Sequence, residues 1–129
     1  MLMMIFISLL SLQVFAPSEK ALYIVKPEAS NYYEPLAKVV SWYESKDDIL
    51  ALNITEQAVG PFQIRQIRVN DYNRRRNTDY KIEDFFDYDL SKEMFFYYAR
   101  GKSYEMAAKN WNGSGLLTIK YWNNVKKFL

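Results

Sequence analysis

Apolar residues return every three or four positions in several stretches of this chain, the spacing that gives a helix one buried face. Leu36, Val39, Val40 and Tyr43 keep that spacing, and Pro35 stands just ahead of them. Proline is tolerated in a first helical turn, where its missing N–H costs nothing. The pattern predicts a helix from 34 to about 45. Residues 46–60, KDDILALNITEQAVG, lose the period and read as irregular chain or short strands. The period resumes with Phe62, Ile64, Ile67 and Tyr72, which predicts a helix from 61 to about 76. NTDYKIEDFFDYD then reads as a connection with aromatic anchors. Asp89 is placed to cap a helix that runs to Arg100 and is closed by Gly101. Ser103 can cap the next helix, which ends at WNGSG. Leu117, Tyr121 and Val125 sit four apart on a last helix, with Trp122 beside them. The expected fold is mainly α: one domain over residues 34–129, about five helices, and a short irregular or β segment after the first helix.

Upstream the pattern differs. Residues 1–16, MLMMIFISLLSLQVFA, form an uncharged apolar block, short for a membrane span. It reads as a signal peptide or a short N-terminal anchor, with small residues ahead of a cleavage point at Ala16. The expected location is therefore exported, in the periplasm or cell envelope. Residues 17–33 hold two prolines and no helical period, and read as a linker approaching the domain.

Composition narrows the chemistry. Half of the 129 residues are apolar and 17% are aromatic, enough for a packed core. The net charge of +2 is too small to favour a nucleic-acid partner. There is no His and no Cys. That removes Ser-His-Asp triads, thiol nucleophiles and most zinc sites. Catalysis would have to use carboxylates, Lys, Tyr, Ser or an external cofactor, and a single-glutamate mechanism is expected to need no cofactor.

Four short motifs fall at helix ends or turns. Tyr43-Glu44-Ser45 closes the first helix, Gly60-Pro61-Phe62-Gln63-Ile64 follows the irregular stretch, Asn112-Gly113 ends a later helix, and Tyr121 lies on the last. Glu44 comes four residues after Val40, beside the apolar stripe. The helix dipole and partial desolvation both disfavour its charged form there, so its pKa should rise.

In order and spacing these motifs resemble the lysozyme-like lytic transglycosylases, the soluble-type catalytic domain related to goose-type lysozyme. The resemblance covers about residues 36–126. It implies that Glu44 is the catalytic acid and that Ser45 assists it or caps its turn. Gly60 would let the backbone pass close to a sugar, and Phe62 and Gln63 would lie on the substrate side, with Gln63 hydrogen-bonding across the cleft. Asn112 would hold an N-acetyl group, Gly113 would keep the cleft floor low, and the Tyr121 hydroxyl would bond to Glu44. The implied partner is the glycan strand of peptidoglycan, cut by a monomer, with a cell-envelope secretion or conjugation apparatus as a partner by analogy alone. Pro61-Phe62 replaces the commoner Leu-Met, and Trp111 the usual Tyr, with apolar bulk kept.

Other readings stand beside this one. Asp47, Asp48 or Glu56 could serve as a second carboxylate, which would make the reaction hydrolysis. A glycan-binding module without activity would keep Gln63 and Asn112 and have no need of Glu44. Asn73-Arg74-Arg75-Arg76-Asn77 is a charge run, which is either a solvated face or a phosphate contact.

Overall fold

The computed structural model describes residues 29–129. The expected signal peptide or anchor at 1–16 and most of the expected approach segment lie outside that range. The rest is a mainly α domain with five helices and a three-stranded antiparallel segment after the first. Among the described residues no helix is long and apolar enough to cross a membrane.

Helix α1 spans Ala29–Ser45, so it starts before Pro35 rather than at it. The reason lies in tertiary contact. The Tyr33 hydroxyl donates to the Lys102 carbonyl at 2.7 Å and accepts from the Lys102 amide at 3.0 Å. That ties the front of the helix to a turn 69 residues away and offsets the backbone bond that an internal proline forfeits. Leu36, Ala37 and Val40 then carry the helix through the core, fully buried, against three later helices.

Three two-residue strands follow: β1 at Leu52–Asn53, β2 at Ala58–Val59 and β3 at Ile64–Arg65, paired in that order. Leu52 opposes Val59, and Val59 opposes Ile64. Helix α2 is Gln66–Arg76, five residues shorter at its front than the periodicity predicts. Gly60 at φ +71° and Gln63 at φ +49° make 60–63 a tight turn, which a right-handed helix cannot contain. Phe62 and Ile64 are apolar because a turn and a strand bury them. The α2 exit is capped by Asn77 in the left-handed region.

A 3-10 turn at Ile82–Phe86 buries Phe85. Helix α3 is Tyr88–Ala99, and its cap is Asp87, which accepts from the Leu90 amide at 2.7 Å. Asp89, the expected cap, is already inside the first turn. Asp87 has the extended backbone a cap requires (φ −69°, ψ 125°). Helix α4, Tyr104–Asn112, is capped by Ser103 as expected. Helix α5, Leu117–Val125, buries Thr118, Tyr121 and Val125. Leu117, expected on that stripe, is instead 76% exposed. Phe62 stacks on Phe95 in the core, and both rings meet Trp111 edge-on.

Candidate functional site

One cleft of about 530 Å³ opens beside the end of α1. It collects side chains from six elements: Glu44 from α1, Asn53 from β1, Arg65 from β3, Arg68 from α2, Asn112 from α4 and Tyr121 from α5, with Gln63 from the tight turn.

Glu44 is one residue short of the α1 terminus and keeps only partial exposure. Burial pushes its carboxyl above the ordinary glutamate range, the largest effect on it. Tyr121, buried on α5, donates to Glu44 Oε1 at 2.7 Å, and this pulls the other way. The neighbouring charge of Glu56 raises it further, and Arg65 and Arg68 lower it. Desolvation wins, and the Glu44 carboxyl lies above its ordinary range. Tyr121 is itself locked as a donor: burial and the facing carboxylate push its phenol far above its usual range. Its ring stands edge-on to Tyr43 at 5.2 Å, and Asn124 donates to the Tyr43 hydroxyl at 3.1 Å. The acid is therefore held by a packed aromatic pair.

Across the cleft, Gln63 sits in the left-handed region, where a side chain is strained. Its Nε2 donates to the Gly60 carbonyl at 2.9 Å. That bond pins the amide of a residue that lines the cleft. Ser45 does not line the cleft. Its Oγ donates to the Pro61 carbonyl at 2.9 Å and lies 3.2 Å from the Ser41 carbonyl. Ser45 thus fastens the end of α1 to the tight turn and sets Glu44 against Gln63. Asn112 and Gly113 line the cleft at the α4 terminus, where Gly113 takes φ +140°.

Two expected substrate contacts are corrected by the fold. Phe62 is fully buried, stacked at 5.6 Å on Phe95, and no glycan can reach it. Its carbonyl accepts from Trp111 Nε1 at 3.2 Å, so it positions the wall behind the cleft. Gly60 is also buried and faces the other way. A Cβ there would stand 2.1 Å from the Phe85 carbonyl oxygen, so the close approach is to this chain's own backbone.

The alternative carboxylates separate clearly. Asp47 accepts from Ser41 Oγ at 2.7 Å, and Asp48 accepts from the Leu50 amide at 2.9 Å. Neither lines the cleft. Glu56 does, bonded to Arg65 at 3.1 Å. The basic run is neutralised locally: Arg74 and Arg75 bond to Asp71 at 2.5 and 2.6 Å, and Arg76 lies 3.7 Å from Glu93. It is a solvated, internally paired face.

Sequence reasoning missed Arg68, Lys120 and the bracing part of Trp111. Arg68 donates to the Trp111 carbonyl at 2.8 Å and lies over the Trp111 ring at 4.2 Å. It joins α2 to the end of α4, so it spans the back of the cleft.

No family model, curated protein or solved structure matches this chain.

Proposed function

We propose that this cleft cuts the β-1,4 bond between N-acetylmuramic acid and N-acetylglucosamine in peptidoglycan, as a lytic transglycosylase with one catalytic glutamate. The observation that carries the reading is the buried Glu44 carboxyl, held by Tyr121 at 2.7 Å in a cleft that Gln63 and Asn112 also line. A glycosidic oxygen must be protonated as it leaves, and a carboxyl whose pKa burial has raised supplies that proton more readily than an exposed one. The N-acetyl oxygen of the substrate attacks the anomeric carbon as the bond to the leaving oxygen breaks. Glu44, now a carboxylate, takes the proton of the 6-hydroxyl. That oxygen then closes the 1,6-anhydro ring and the N-acetyl group is restored. Glu44 ends protonated, ready for another cycle. Tyr121 supports both halves: its hydroxyl stabilises the carboxylate form without itself titrating.

A hydrolytic version is favoured by one observation only, that Glu56 lines the same cleft. Arg65 bonds to it at 3.1 Å, so that carboxylate already has a partner within the chain.

The experiment is mass spectrometry of fragments released from purified peptidoglycan by the protein and by Glu44→Gln. Anhydro-ended products are expected from the parent, with a loss of about 10²-fold or more in the variant. Reducing-end products lost in the variant would make the reaction hydrolysis. No products, with binding to wall sacculi that survives Glu44→Gln, would leave a glycan-binding module.

A further inference from the structure

Arg68 is a guanidinium in the cleft with no carboxylate bonded to it. Its recorded hydrogen bond goes to a neutral carbonyl, that of Trp111 at 2.8 Å, and uses one of five N–H donors. The rings of Trp111 and Tyr98 flank it at 4.2 and 5.2 Å and take it partly out of water. Among the described residues it forms no ion pair. The nearby carboxylates are already committed. Asp71 accepts from Arg74, Arg75 and Tyr98. Glu44 accepts from Tyr121 and favours its neutral form. Arg65, the other cation of the same helix region, is matched by Glu56.

Lys120 of α5 lines the same cleft, exposed and likewise without an ion pair among the described residues. Glu56 is bonded to Arg65 and Glu44 to Tyr121, so neither carboxylate of the lining is bonded to Arg68 or Lys120. A charge drawn out of water without a partner is costly, and an anion that enters the cleft relieves that cost. The guanidinium fork fits a carboxylate in a way a single ammonium does not.

Resting on the glycan reading above, we propose that Arg68 and Lys120 form a carboxylate-recognising subsite, so that the cleft selects acidic glycans over neutral ones. Two groups on the substrate carry this chemistry. One is the lactyl carboxylate of a muramic acid stripped of its peptide, and the other is a carboxylate of the attached stem peptide.

The test is calorimetric binding in the Glu44→Gln background, where nothing is turned over. The probes are three glycans of equal length: peptide-bearing muramyl fragments, fragments stripped of peptide by an amidase, and neutral chitooligosaccharides. Acidic fragments should bind at least about tenfold tighter than chitooligosaccharides, the worth of one charge-assisted contact. Adding Arg68→Gln should erase most of that preference and Arg68→Lys only part. Lys120→Gln should weaken it, and added salt should weaken acidic binding alone. Tighter binding of the peptide-bearing probe assigns the stem carboxylate, and tighter binding of the stripped probe assigns the lactyl group. Equal binding of acidic and neutral probes overturns the subsite. So does an Arg68→Gln loss that is the same for both, which would make Arg68 only a brace for the Trp111 carbonyl. If Arg68→Gln does not fold, Lys120→Gln and the salt dependence decide. If no probe binds and the parent releases nothing from sacculi, the glycan reading itself fails and the subsite falls with it, an outcome distinct from equal binding.

Discussion

Glu44 holds its proton because burial outweighs the hydroxyl that faces it. The consequence for stability has a definite sign. Below the ordinary glutamate value of 4.5, the folded and unfolded states are both protonated and the contribution is fully present. As pH rises through the raised folded value, the buried group must ionise and that contribution is lost. Denaturant melts across this window should therefore show the parent losing stability relative to Glu44→Gln. Parallel pH curves for the two proteins would contradict the burial argument. Tyr121→Phe removes the one hydrogen bond that opposes desolvation, so the Glu44 carboxyl should titrate at higher pH than in the parent. A side-chain carboxyl NMR titration reads this directly, whatever the protein acts on.

Elements start and stop here through single residues whose chemistry is local. Asp87 supplies the α3 cap, so Asp87→Ala should cost about 1 kcal/mol of stability, and Asp89→Ala, inside the first turn, a few tenths at most. Thermal melts of the two variants would separate the assignments, and the reverse order would restore Asp89 as the cap. The glycines divide in the same way. Gly60 has both a positive φ and the Phe85 carbonyl oxygen 2.1 Å from where a Cβ would stand. Gly113 has the φ and open space. Gly60→Ala should cost about 3 kcal/mol or more, and Gly113→Ala about 1–3 kcal/mol from backbone strain alone. Similar melting temperatures would show that the Phe85 contact yields. Both turn residues were visible in the sequence as candidate site residues. The structure shares out their roles differently, because the direction a turn faces is decided by what packs behind it.

At the scale of the whole molecule, the cleft exists because two parts of the chain are fastened across it. Ser45 ties α1 to the turn at 60–63, and Arg68 ties α2 to the end of α4. Ser45→Ala should cost about 1 kcal/mol and leave the Pro61 carbonyl without its bond. Hydrogen exchange should quicken in residues 58–65 while the core of α3 stays unchanged. Uniform acceleration across both would mean that Ser45 serves the whole fold and not the turn.

What the sequence determined by itself was the set of strongly periodic or capped elements: the body of α1, α3, α4 with its Ser103 cap, α5, and a non-helical stretch between α1 and α2. Each is decided by neighbours within a few residues. The family resemblance of its motifs also picked out Glu44, Gln63, Asn112 and Tyr121, which the fold brings to one cleft. The tertiary structure alone decided the rest. Helix α1 reaches back past Pro35 because Tyr33 finds Lys102, 69 residues on. Phe62 leaves the substrate side because Phe95 and Trp111 bury it. Arg68 enters the cleft wall because α4 ends beside α2, at a separation of 43 residues. Contacts of that range have no periodicity for a sequence to display, since they depend on where whole elements come to rest.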